Sequence, residues 1–112
     1  MRVPQPLSQL RFARRRWMLI GLVQIHHIIP QCLSQHRQLS GVDIHCAENV
    51  MFMPTAAGAE KLRLRQGRLI HDGGHLAYNA FVLELLEMDT PANIMHNLRR
   101  ELRSSHPAIP WR

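Results

Sequence analysis

Apolar and polar positions alternate in two different patterns along the chain, and each pattern predicts a different element. Residues 17–29 are mostly apolar and rich in β-branched side chains, which predicts a buried strand that ends at Pro30. Residues 49–54 predict a second short strand that a proline also ends. Because residues 31–48 are polar and lack a sustained period, we expect a long loop with one helical turn around residues 32–39.

The second half of the chain has helical periodicity. Apolar residues at three- and four-residue spacing predict an amphipathic helix over residues 75–88. Thr90 followed by Pro91 is a typical helix start, and a second apolar face continues from there. Residues 55–70 fit either a hairpin or a helix, and both interpretations stay open. Strand, loop, strand and helix form a ββα unit, so we predict a small single-domain α+β fold with an additional C-terminal helix.

Length and composition agree with one folded domain. The chain has 112 residues, of which 46% are apolar and 20% charged, and this balance is not that of a disordered segment. We expect a loosely docked basic arm over residues 1–16, the domain over residues 17–104, and a tail over residues 105–112. The longest apolar run near the N-terminus has seven residues, whereas a membrane helix needs ~20. Two cysteines are too few for a disulfide framework, so a cytoplasmic protein is expected.

The charge balance predicts a polyanionic partner. Fourteen Lys+Arg against eight Asp+Glu give a net charge of +6, and arginine can donate two parallel hydrogen bonds to a phosphate. Arg14, Arg15 and Arg16 cluster in the arm. Arg99 and Arg100 lie on the last predicted helix, where a solvated face is the simpler interpretation. Both clusters are candidate contacts to a nucleic acid backbone.

The eight histidines are the feature of the composition that most strongly suggests a chemical function, because imidazole binds metals and titrates near neutral pH. His26 and His27 lie at the end of the first predicted strand, Asn49 opens the second, and His71 and His75 flank two glycines before a helix. Histidines that hold a divalent metal ion can present it to a phosphate oxygen, and a free imidazole nearby can take a proton from water. Because adjacent strand residues point to opposite faces, we expect one of His26 and His27 to bind the metal ion and the other to take the proton.

The long loop offers an alternative metal site. Cys32, His36, His45 and Cys46 have the donor types of a structural zinc site, which would make the protein a non-catalytic nucleic-acid-binding module. Without that site, His36 and His45 are interpreted as ordinary surface or hydrogen-bonded histidines. A third interpretation is a small interaction protein whose basic arm binds an acidic partner. Substitution of both cysteines separates this zinc module, which it would unfold, from a catalytic histidine site, which it would spare.

The order of these pieces resembles the AHH family of nucleases, which belongs to the HNH/endonuclease VII superfamily with the ββα-metal fold. The resemblance covers roughly residues 25–86 and rests on the following segments: His-His-Ile-Ile-Pro at 26–30, Gly-Val-Asp-Ile at 41–44, Glu-Asn-Val at 48–50, Met-Pro at 53–54, His-Asp-Gly-Gly-His at 71–75, Tyr-Asn at 78–79 and Phe-Val at 81–82. Two positions depart from the pattern. Ile25 replaces the alanine of the family's name, and Asp72 stands where a basic residue is expected.

The resemblance implies a role for each candidate residue. His26 and His75 would be metal ligands, with His71 as the third ligand. His27 would be the general base that activates water. Asn49 would hydrogen-bond near His27 and fix its ring.

The resemblance also implies an activity. We expect a metal-dependent endonuclease with little sequence specificity, acting on DNA or, second to it, RNA, and leaving 5′-phosphate and 3′-hydroxyl ends. One divalent ion is expected, with zinc, nickel, magnesium and manganese as the candidates. Members of the family often form toxin modules, which would add an acidic immunity protein as a partner and delivery into a target cell. A stand-alone or phage-type enzyme is the other interpretation.

Overall fold

The computed structural model describes residues 5–112, so the first four residues of the predicted arm lie outside the described part. Within it, helices and strands follow the predicted α+β order, and the ββα unit is confirmed. The elements are α1 (Pro6–Arg16), β1 (Val23–His27), β2 (Val50–Pro54), α2 (Ala56–Lys61), α3 (Leu76–Leu86) and α4 (Pro91–Arg103). Among the helices of residues 5–112, none combines the length and the apolar character that crossing a bilayer requires.

The two strands pair antiparallel, with Val23 opposite Pro54 and His27 opposite Val50. The first strand is shorter than predicted, because the chain turns immediately before it. Met18 and Gly21 both have positive φ angles, of 57° and 82°, which extended backbone does not allow. The apolar residues before β1 therefore belong to a turn that delivers the chain from α1 to the sheet.

The loop between the strands contains three short 3₁₀ turns, at Gln31–Leu33, Arg37–Leu39 and Ala47–Asn49. The first two agree with the predicted helical turn. Leu39 is buried in the core, so the loop is packed onto the domain. An irregular segment of this length that is nevertheless ordered is typical of functional loops.

The ambiguous segment after β2 begins with the short helix α2. Thr55 caps this helix, because its Oγ1 accepts a hydrogen bond from Gly58 N at 3.0 Å. The same hydroxyl donates to the carbonyl oxygen of Gly21 at 2.8 Å and so ties α2 to the turn before β1. The helical interpretation is correct for residues 56–61, and no strand follows in residues 62–75.

The two predicted C-terminal helices are present. In α3, Tyr78, Val82 and Leu86 are fully buried at four-residue spacing. Thr90 caps α4 through a hydrogen bond from Asn93 N at 3.2 Å, as its sequence predicts. The buried faces of α3 and α4 meet the sheet in one core.

Of the two ends of the described chain, the N-terminal one differs from its prediction, whereas the C-terminal one does not continue α4, as predicted. Residues 6–16 are not a loose arm, since they form α1, which contacts both strands although none of its side chains is buried. Pro6 occupies the first turn, where proline is compatible with a helix. The tail is docked as well, because Trp111 Nε1 donates to Ile70 O at 2.9 Å and Trp111 O accepts from Tyr78 N at 3.1 Å. The boundaries at residues 17 and 104 stay predictions.

Gly58→Ala tests the contact between α2 and the turn before β1. A Cβ at this position would overlap the backbone oxygen of Leu22. We expect a loss of about 1–3 kcal/mol in the free energy of unfolding, although alanine inside a helix normally stabilises it by about 1 kcal/mol. Urea unfolding measures the change. Gly74→Ala is the control, because its Cβ meets nothing within 4 Å, and equal stabilities of the two variants would contradict this packing.

Candidate active site

Three histidines from separate segments converge at the end of the sheet. His26 comes from β1, His71 from the segment before α3, and His75 from the position that precedes α3. One ring nitrogen of each lies within 4.8 Å of the others, and the ring centroids of each pair are 5.1 Å apart. The three candidate ligands predicted from the sequence are therefore neighbours in space.

Backbone and side-chain hydrogen bonds hold two of these histidines in place. His71 N donates to the carbonyl oxygen of Pro54 at 2.8 Å, which anchors its segment to the end of β2. His75 Nδ1 lies 2.8 Å from Asn79 Oδ1, one turn further along α3. An amide oxygen only accepts, so Nδ1 carries the hydrogen and Nε2 is left with its lone pair. This partner fixes the tautomer that a metal ligand needs.

The environment favours the uncharged form of two of the three histidines, His26 and His71. His26 is only 1% exposed, and its burial, reinforced by His71, His75 and His27, lowers its pKa to about 2. Burial and then the charge of His75 also lower the pKa of His71. A neutral imidazole is the form that binds metals. His26 Nε2 is buried and has no hydrogen-bond partner, which is costly unless another group binds it.

An aromatic wall covers the cluster on one side. The ring centroid of Trp111 lies 4.8 Å from that of His75, 5.4 Å from that of His26 and 5.8 Å from that of His71. Tyr78 packs against the rings of His26 and His75, and its hydroxyl donates to Ile28 O. Sequence reasoning missed Trp111, because a single tryptophan among prolines has no periodicity to place it. Its only signal was a large apolar side chain in an otherwise polar tail.

His27 lies outside the cluster but lines the same cavity of about 260 Å³ as the three histidines. Its Nε2 is 2.8 Å from His45 Nδ1, and the side-chain nitrogen of Gln31 lies 3.2 Å from its Nδ1. Burial lowers the pKa of His27, and the charges of His45 and Arg11 lower it further. The pair His26 and His27 therefore divides into one buried cluster member and one half-buried neighbour, as the strand geometry predicts.

Asn49 hydrogen-bonds to the backbone near His27 and not to the His27 ring itself. Asn49 is fully buried, and its Oδ1 accepts from Ile29 N at 2.7 Å. Its Nδ2 donates to Ile29 O at 3.1 Å and to Ile44 O at 2.8 Å. The amide matches the hydrogen-bonding groups of two backbone segments, one after His27 and one before His45. Asn49 thus acts on the site through the backbone.

The alternative zinc site in the loop is not formed. Within residues 5–112, the three-histidine cluster is the only group of three or more His, Cys, Asp or Glu side chains that is placed to hold an ion. His36 Nε2 is bonded to Glu87 Oε1 at 2.9 Å, and His45 faces His27. Cys32 is exposed and Cys46 partly buried, both as free thiols. The four predicted loop ligands therefore do not converge on an ion site.

The candidate arginines have different environments. Arg14 and its neighbour Arg11 line a cleft of about 220 Å³ together with His27. The side chains at positions 15 and 16 are exposed on the same helix, as is that of Arg100 on α4. Arg99 is not a free solvated side chain, because its Nη2 donates to Ala47 O at 2.9 Å and to Val50 O at 3.1 Å. It ties α4 to the start of β2.

Two strands and a helix that bring a histidine pair to a third and fourth histidine define a nuclease of the HNH/ENDO VII superfamily. The chain belongs to the AHH family: the family's sequence model, described as "a nuclease family of the HNH/ENDO VII superfamily with conserved AHH", matches residues 13–105. This confirms the resemblance and extends it into α1 and α4. No curated protein and no solved structure matches the chain.

The buried cluster makes the stability of the metal-free protein sensitive to acid. Unfolded His26 binds a proton near its ordinary pKa of ~6.5, whereas the folded form does so only at about 2. Between these values the unfolded state binds more protons, so the free energy of unfolding falls as the pH falls below ~6.5. Each pH unit removes up to about 1.4 kcal/mol for this histidine.

Urea unfolding in the presence of a chelator, at several pH values between 7.5 and 4, measures this slope. His26→Leu removes the titrating group and keeps the position apolar. We expect a shallower decline with acid for this variant than for the wild type. Identical slopes for the two proteins would contradict the buried neutral state of His26.

Proposed function

We propose that this member of the AHH family is a metal-dependent endonuclease that hydrolyses phosphodiester bonds in DNA with little sequence specificity. The observation that carries the proposal is a single cavity lined by the three-histidine cluster and by His27. The cluster has the donors for an ion, and His27 is a separate neutral imidazole beside it. A nuclease needs both kinds of group within reach of one phosphate.

The cluster fits one divalent metal ion. His26, His71 and His75 would hold it with one nitrogen each, and three protein ligands leave open positions for a substrate. The unpartnered buried nitrogen of His26 supports this assignment, since a ligand bond would use its lone pair. Three imidazoles suit zinc, nickel or manganese better than magnesium. When bound, such an ion supplies positive charge that stabilises the developing charge on the phosphate.

His27 is proposed as the general base. Its lowered pKa keeps the imidazole neutral at physiological pH, so that a ring nitrogen can take a proton from a water molecule. The resulting hydroxide attacks phosphorus in line and displaces the 3′ oxygen, which leaves a 5′-phosphate and a 3′-hydroxyl end. Asn49 positions His27 indirectly, because it holds the backbone of Ile29, two residues further along the chain.

The cleft beside His27 gives the nucleic acid backbone a path. Arg11 and Arg14 line it, and further arginines of α1 continue its charge along the exposed helix surface. Asp72 does not oppose this path directly, since its Oδ2 accepts from Ala56 N at 2.8 Å. Guanidinium contacts to phosphates carry no sequence information, so low specificity follows. DNA rather than RNA stays a prediction.

The same basic surface supports the toxin hypothesis. A net charge of +6 and the arginines of α1 would favour an acidic immunity protein that covers the cleft and blocks the substrate. A stand-alone enzyme needs no such partner. The toxin role, the immunity protein and the location of the protein stay predictions.

Plasmid nicking by the purified protein tests the proposed reaction. We expect cleavage with zinc, nickel or manganese and loss of cleavage with a chelator. His27→Ala should reduce the rate by about 10²- to 10⁴-fold, because it removes the base, and should leave metal binding intact by calorimetry. His75→Ala should weaken both. His96→Ala, at an exposed position on α4, is the control; full activity of His27→Ala or activity in chelator would refute the proposal.

The salt dependence of DNA binding tests the proposed path. Removal of two phosphate contacts by Arg11→Gln with Arg14→Gln should reduce the slope of log affinity against log salt by about 1.8. Fluorescence anisotropy with a short duplex measures it, in the His27→Ala background to prevent cleavage. Lys61→Gln with Arg65→Gln makes the same charge change at exposed positions that do not line this cleft. Equal slopes for the two double variants would place the DNA elsewhere.

A further inference from the structure

His45 is a titratable side chain in direct contact with the proposed base that the mechanism above does not use. It belongs to the long loop, yet its ring centroid lies 5.0 Å from that of His27. His45 Nδ1 and His27 Nε2 are 2.8 Å apart, which is a hydrogen bond between two imidazoles. In a pair of neutral imidazoles, one nitrogen of such a bond carries the hydrogen and the other accepts it.

Gln31 favours one of the two arrangements of this pair. Its side-chain nitrogen, which can only donate, lies 3.2 Å from His27 Nδ1 and 3.3 Å from His27 Nε2. His27 Nε2 has the shorter contact, 2.8 Å, to His45. The arrangement in which Nδ1 of His27 has the lone pair and Nε2 has the hydrogen satisfies both contacts at once. His45 Nδ1 is then the acceptor.

The loop holds His45 rigidly enough for this contact. His45 N donates to Asp43 Oδ1 at 2.9 Å. The preceding carbonyl, of Ile44, accepts from the buried Asn49 side chain at 2.8 Å. Asn49 also binds Ile29, so one amide fixes the backbone near both members of the histidine pair. These hydrogen bonds therefore fix the backbone on both sides of the ring pair.

We propose that His45 is a positioning residue for the nuclease, which accepts a hydrogen bond from Nε2 of His27 and so keeps the lone pair on Nδ1 of His27, where the attacking water takes the place of Gln31 as hydrogen-bond donor and gives up its proton. This inference rests on the proposed function. The acceptor has the role that a carboxylate has behind a catalytic histidine, where it fixes the tautomer and the ring orientation. His45 does so without adding a negative charge next to a phosphate.

Two substitutions of His45 separate positioning from packing. His45→Leu removes the acceptor, and His45→Gln restores one in its side-chain oxygen. With the full chain, a fluorescent DNA substrate and manganese at pH 7.5, we expect kcat of His45→Leu to fall about 10- to 100-fold with KM unchanged. His45→Gln should recover most of kcat. Metal affinity by calorimetry should be the same in all three proteins, because His45 is not in the cluster.

The tautomer of His27 gives a readout that needs no activity. In ¹⁵N spectra of the wild type at pH 7.5, the ring nitrogens of His27 should show hydrogen on Nε2, and His45→Leu should lose this preference. A wild type with hydrogen on Nδ1, a His45→Gln variant as slow as His45→Leu, or a higher KM at constant kcat would each overturn the proposal. If no metal supports cleavage, the proposed function fails, while the spectra still decide whether His45 sets the tautomer.

Discussion

The antiparallel pairing of β1 with β2 decides where every group of the site lies. Because His27 is opposite Val50, Asn49 falls beside the backbone that follows the histidine pair. The far end of the sheet receives the segment of His71, through the bond to Pro54. A slip of one residue would turn His26 away from α3 and expose it, since strand side chains alternate between faces. The register of the two short strands therefore sets the relative positions of the proposed site residues.

The proposed site combines two requirements that oppose each other. Donors for an ion must be close together and neutral. Burial and the repulsion between neighbouring histidines keep His26 neutral, because both lower its pKa. A base must stay open to water, and His27 is only half buried. Adjacent residues at the end of one strand satisfy both, because one side chain points into the core and the other towards the cleft. Burial of the donors destabilises the ion-free protein, because the buried Nε2 of His26 has no hydrogen-bond partner.

Local sequence patterns predicted the features that depend on short-range interactions, namely strand ends, helix caps and helix periodicity. Prolines ended the strands, Thr90 capped α4, and apolar spacing gave α3, so the order of elements followed from the sequence, and the family resemblance supplied the three clustered histidines. The long-range partners of Asn49, Arg99, His45 and Trp111 did not follow, because each lies 18 to 52 positions along the chain from the residue that contacts it. Such contacts are set by how the loop and the tail fold back, which no periodicity encodes. The helix α1 did not follow either, because its basic residues were interpreted as a loosely docked arm.

Trp111 gives the site an order of assembly. The histidines at 26, 71 and 75 leave the ribosome before the tryptophan that covers them, and Trp111 also supplies the carbonyl that accepts from Tyr78 N in the first turn of α3. A nascent chain that has not reached this residue lacks both the aromatic wall and this tie to the helix that follows His75. The histidine cluster is therefore enclosed only once residue 111 has been made, after all four helices of the described residues.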